Sequence, residues 1–69
     1  MSKSELTKMI LKMTGSPLVN LTEIAKLVRT NRAGAADLMR GCHYEKRGRG
    51  KYFFASDVAE RMLARMEVY

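Results

Sequence analysis

The sequence predicts a mainly α fold carrying one small β-hairpin. Two observations predict it. From Leu21 to Gly41 the run LTEIAKLVRTNRAGAADLMRG reads as two short helices joined by a tight turn. After it, two short strand-forming stretches surround the glycine-rich Gly48-Arg49-Gly50. The 69 residues form a single domain, 1–69, near the lower size limit for a self-sufficient core.

The elements follow one another with short joints. Over residues 3–14, Leu6, Met9, Ile10 and Met13 recur at helical spacing. Ser2 with Glu5 three residues on is a capping-box pattern. Gly15, Ser16 and Pro17 end this helix. Leu18 to Leu21 reads as a short extended entry to the second helix. Thr22 is its expected N-cap, and Ile24, Ala25, Leu27 and Val28 give it an apolar face. Ala25 sits where the two helices cross, and a large side chain there would push them apart. Arg29-Thr30-Asn31 makes the turn. Asn31 is placed to cap the third helix, which runs from about Arg32 to Arg40 and stops at Gly41. Ala35, Leu38 and Met39 share one of its faces. Arg32, Ala33, Gly34, Ala36, Asp37 and Arg40 are left mainly outward.

Tyr44–Arg47 and Lys51–Ala55 then read as the two strands of the hairpin. The consecutive Tyr52, Phe53 and Phe54 favour strand. A hairpin this short is unstable alone, so some of Tyr44, Tyr52 and Phe54 must pack on the helices. Phe53 interrupts the alternation and leaves the inward face open. Ser56 is the expected cap of a last helix with Asp57 in its first turn. Val58, Ala59, Met62, Leu63 and Met66 form its apolar stripe.

Charge narrows the function classes. The net charge is +6 and the isoelectric point about 9.9, so the domain is attracted to polyanions. Apolar residues make up 46% of the chain, enough for folding and against disorder. Residues 42–55 alone carry +3, from Lys46, Arg47, Arg49 and Lys51 against Glu45. A phosphate backbone is expected there. No segment approaches the ~18 consecutive apolar residues of a membrane span. The opening MSKSELTK lacks the apolar stretch of a signal peptide. The single cysteine, Cys42, excludes an internal disulfide and fits a cytoplasmic location.

Cys42-His43 invites a metal. With no second Cys or His in the chain, the pair cannot close a tetrahedral site, so no metal is expected. His43 is expected at a strand edge. There is no Ser/His/Asp constellation, no paired carboxylates with a plausible pocket and no phosphate-loop glycines. Neither catalysis nor a cofactor is expected.

The segments LTEIAKL, TNR, LMRG, GRGKYFF and SDVAERML together resemble the winged helix-turn-helix of phage and transposon excisionases. These are recombination directionality factors whose fold is shared with the DNA-binding part of MerR-like regulators. The resemblance covers roughly Leu18 to Leu63. It implies a recognition helix in the major groove and a wing on the neighbouring backbone or minor groove of double-stranded DNA. On that resemblance Asn31, Arg32, Ala33, Ala36, Asp37 and Arg40 fall on the recognition helix. Arg47, Arg49 and Lys51 fall on the wing, beside Lys46. Arg29 stands at a turn position where such motifs usually have glycine. The recognition helix is rich in Ala and Gly, so few of its side chains reach base edges.

Within that helix Arg32, in the first turn, is the leading candidate for base contact. Asp37 can accept from a cytosine amino group or pair with Arg40. Arg49, flanked by glycines, has the slim shape a minor groove admits. The expected role is an excisionase of a mobile element that binds repeated sites, bends DNA and helps place an integrase. Further copies of itself or an integrase are the expected protein partners, docking through Met66, Val68 and Tyr69. The alternatives are a small transcriptional regulator, and a basic protein-interaction module that meets an acidic partner.

Overall fold

Helix α1 spans Lys3–Thr14 and opens the chain in the computed structural model, which describes residues 1–69. It is followed by β1 (Leu18–Asn20), α2 (Leu21–Leu27), α3 (Arg32–Leu38), β2 (Glu45–Arg47), β3 (Gly50–Phe54) and α4 (Ala55–Ala64). Four helices thus pack with a three-stranded antiparallel sheet, a mixed α/β arrangement.

Local chemistry explains α1. The Glu5 N–H donates to Ser2 Oγ at 3.1 Å, and the Ser2 N–H donates back to Glu5 Oε1 at 3.4 Å. This reciprocal pair satisfies two otherwise orphaned donors. Gly15 ends the helix in the left-handed region at φ 74°, with its N–H on the Leu11 carbonyl at 2.8 Å. The buried stripe is narrower than the spacing suggested. Leu6 and Ile10 are buried, whereas Met9 and Met13 are 47% and 69% exposed. α1 packs chiefly against α4, and one neighbouring helix covers only one strip of its surface.

The expected hairpin is the larger part of a three-stranded sheet ordered β1-β3-β2. Leu18–Asn20 supplies the third strand, pairing Leu18 with Phe54, Val19 with Phe53 and Asn20 with Tyr52. That register settles the inward face. Val19 and Phe53 lie opposite each other and are buried, at 0% and 4% exposure. Tyr52 and Phe54 consequently point to the other face, where Phe54 is exposed. Phe53 therefore carries the packing expected of Tyr44, Tyr52 or Phe54. Tyr44 only leans on it, with ring centroids 5.8 Å apart. Tyr44 and His43 precede β2 in a loop, and the strand turn is the two residues Gly48-Arg49, with Gly48 at φ 58°.

Two caps differ from expectation. Asn20, not Thr22, caps α2. Its Oδ1 accepts the Glu23 N–H at 2.8 Å, and Glu23 Oε1 accepts the Asn20 N–H at 3.0 Å. The helix thus begins two residues early, at Leu21, which is buried in the core. Ser56 caps nothing. β3 runs straight into α4, and the Ala55 N–H is taken by the Pro17 carbonyl at 2.8 Å. α3 ends at Leu38 rather than Arg40, and the chain turns through Gly41 at φ 85°. On α4, Val58 and Ala59 are buried, Met62 and Leu63 are half-buried, and Met66 lies past the helix, exposed. A single core joins all four helices and the sheet, with Ile10, Val19, Ile24 and Val58 its largest fully buried side chains.

Candidate nucleic-acid interface

Between α2 and α3 the backbone makes a left-handed turn on a residue with a side chain. Arg29 sits at φ 58°. The Thr30 N–H reaches the Ala25 carbonyl at 2.8 Å and the Arg29 N–H the Lys26 carbonyl at 3.4 Å. This is the bonding pattern of a Schellman close, usually built on glycine. Asn31 then caps α3, its Oδ1 accepting the Gly34 N–H at 2.8 Å. Ala25 and Ala35, both buried, let α2 and α3 approach closely. Gly34 is not outward as expected. It is half-buried against Thr30, and a Cβ there would fall on the Thr30 side chain.

With Ala35 and Leu38 inward, Arg32, Ala33, Ala36 and Asp37 are exposed on the opposite side, and Arg40 follows in the same direction. Asp37 is held from two sides. One oxygen meets Arg40 at 3.1 Å and the other meets Arg65, beyond α4, at 3.2 Å. Arg61 of α4 donates through Nη1 to the carbonyls of Arg40 at 2.9 Å and Leu38 at 3.3 Å. A cation thus closes the C-terminal end of α3, where carbonyls lack helical partners. The sequence pattern singles out neither Arg61 nor Arg65 as a site residue. Their i,i+4 spacing, Arg61 on α4 and Arg65 at its C-cap, is the signal that puts both on one side of the chain there.

The hairpin presents the second half of the site. Lys46 and Lys51 are direct cross-strand partners on one face. Like charges so placed repel, a cost to the isolated fold. Lys51 Nζ lies 5.3 Å from the Tyr44 ring centroid. Arg47 stands on the other face, bonded to Glu45 through Nε at 3.0 Å and Nη2 at 3.2 Å, and 5.7 Å from the Tyr52 centroid. Arg49 occupies the exposed tip. Arg32, Lys46, Arg49 and Lys51 make no ion pair with any carboxylate of the chain.

The two halves meet. A hollow of about 210 Å³ is bounded by Ala36 and Arg40 from the helix side and by Lys51 and Phe53 from β3, with Cys42 and Tyr44 between them. Asn31 and Arg32 lie at the far end of α3 from this junction, and Arg47 is turned away from it. No group of three His, Cys, Asp or Glu side chains comes together as a metal site. No helix is long and apolar enough to cross a membrane. Comparison with protein-family models, curated proteins and solved structures finds no match.

Proposed function

We propose that this chain is a winged helix-turn-helix module that binds double-stranded DNA, with α3 in the major groove and the β2–β3 hairpin on the neighbouring backbone or minor groove. The observation that carries the reading is the junction of α3 with the hairpin. Ala36 and Arg40 share one hollow with Lys51, so helix and hairpin can meet one ligand together. On the hairpin Lys46, Arg49 and Lys51, and at the far end of α3 Arg32, hold charges that no carboxylate of the chain neutralises. Phosphates relieve the Lys46–Lys51 repulsion, and each neutralised phosphate releases condensed counterions. The short α3 with its alanines lies close in a groove about 12 Å wide. Arg49 on its two-residue turn is narrow enough for the minor groove.

The role we assign is that of an excisionase-like recombination directionality factor of a mobile element, a DNA-bending partner of an integrase. This rests on the resemblance of LTEIAKL, TNR, LMRG, GRGKYFF and SDVAERML to that family. A footprint of the purified protein on the DNA flanking its own coding sequence tests the proposal. Protected repeats beside a recombination junction support it. Protection confined to a promoter instead points to a transcriptional regulator, and no protection on any duplex removes DNA binding altogether.

A further inference from the structure

Two large apolar side chains of α1, Met9 and Met13, remain outside the core while Leu6 and Ile10 fill it. Spaced i,i+4, they form a strip along one side of the helix. At its end the strip meets a hollow of about 330 Å³, lined by Met13 and Thr14 of α1 and by Glu23, Lys26 and Leu27 of α2. That hollow has room for a large aliphatic or aromatic side chain.

Cations flank the strip. Lys8 and Lys12 repeat the i,i+4 spacing beside the methionines, and Lys26 stands across the hollow. None of the three makes an ion pair, whereas Lys3 on the same helix is bonded to Glu60 at 3.8 Å. Like charges at i,i+4 repel. The nearby carboxylates have other work. Glu23 Oε1 takes the Asn20 N–H, and Glu5 closes the cap of α1. None of these residues lines the hollow between α3 and the hairpin.

We propose that the Met9–Met13 face of α1 docks an acidic amphipathic helix of a partner protein, one large apolar side chain entering the hollow beside Leu27 and its carboxylates meeting Lys8, Lys12 and Lys26. Methionine suits such a surface because its flexible thioether adapts to the partner. The mode is a helix laid on an apolar groove with charged flanks. Duplex DNA is the poorer occupant, since phosphates gain from the lysines but nothing from the methionines.

The test uses full-length protein with labelled methionine methyl groups and a designed acidic peptide that forms an amphipathic helix of leucines and glutamates. A scrambled peptide of equal charge and a random duplex serve as the other arms. The designed peptide should shift the Met9 and Met13 methyl signals saturably and leave Met39 unmoved. Met9→Ser with Met13→Ser, which keeps every charge and the buried Leu6 and Ile10, should weaken binding about tenfold, as should Lys8→Ser with Lys12→Ser. Equal shifts from the scrambled peptide, no saturable shift at Met9 and Met13, or binding unaltered by the methionine changes would overturn the proposal. So would a stronger response of these methyls to duplex DNA than to the peptide. Because the readout lies on α1, its failure leaves the DNA-binding reading untouched, and the converse holds.

Discussion

Arg29 holds a conformation that costs an L residue with a Cβ about 1–2 kcal/mol, because at φ 58° its Cβ crowds the following carbonyl. The Thr30-to-Ala25 and Arg29-to-Lys26 bonds keep it there. Glycine removes the crowding but adds freedom to the unfolded chain. Arg29→Gly is expected to stabilise the fold by about 1 kcal/mol, raising Tm by roughly 4–8 °C in a domain this size. Calorimetry checks it, and an unchanged or lower Tm means that the turn is not strained. Arg61 is the opposite case. It gives two charge-assisted hydrogen bonds to the end of α3. Arg61→Met keeps the apolar stem and removes them, so urea unfolding should show a loss of about 1.5–3 kcal/mol. A loss below ~0.5 kcal/mol would show that water replaces the guanidinium there without cost.

At the scale of elements, α3 and the hairpin divide the proposed work. The hairpin carries unpaired charge, whereas α3 has few long outward side chains. Asp37 and Arg40 engage each other, and the carbonyl oxygen of the Asn31 side chain is used in capping. That leaves Arg32 as the long donor on α3 with no carboxylate partner. Arg32→Ala should cost roughly 1–3 kcal/mol on the preferred site and less on random DNA. Competition titrations with both duplexes read the difference, and an equal loss demotes Arg32 to a phosphate contact. What could be read from the sequence follows the range of each interaction. The Ser2–Glu5 box, the Asn31 cap and the left-handed Gly15 are local, and composition within four residues announces them. The exposed α3 residues and the hairpin cations follow from periodicity and charge. Three-residue β1 has no period of its own. Only its pairing with β3 identifies it, and that pairing decides that Phe53 turns inward. Arg61 and Arg65 reach α3 across more than twenty residues of chain, beyond any local pattern.

For the molecule as a whole, α4 is the brace. Val58 and Ala59 sit in the core, α1 packs along it, and Arg61 and Arg65 grip the end of α3. α3 itself packs mainly on α2, and the two arginines tie its C-terminal end to α4. Single modules of this size cover about 600–1,000 Å² on DNA, which limits what one copy can select. Beyond α4 the chain exposes Met66, Val68 and Tyr69 next to a hollow of about 400 Å³ lined in part by Val28, Leu38 and Met62. Side-by-side binding of copies on DNA, the expectation from the sequence, would use these surfaces. Binding to fragments with two or more sites should then be cooperative. Deleting Met66 to Tyr69 should reduce that cooperativity more than single-site affinity. Gel-shift titrations on one-site and multi-site fragments check this, and identical midpoints would leave a plain monomeric binder.

Duplex binding through the hairpin cations stands or falls on its salt dependence. The measurement is the affinity of the wild-type chain and of Arg49→Ala for one duplex across a series of salt concentrations. Arg49 is exposed at the turn and takes no part in the core, so its removal changes charge and little else. Wild-type affinity should fall steeply with salt. Arg49→Ala should bind more weakly, with a log–log slope shallower by ~0.9, the signature of one lost phosphate contact. Affinity and slope both unchanged by the substitution would mean that the hairpin tip meets no phosphate.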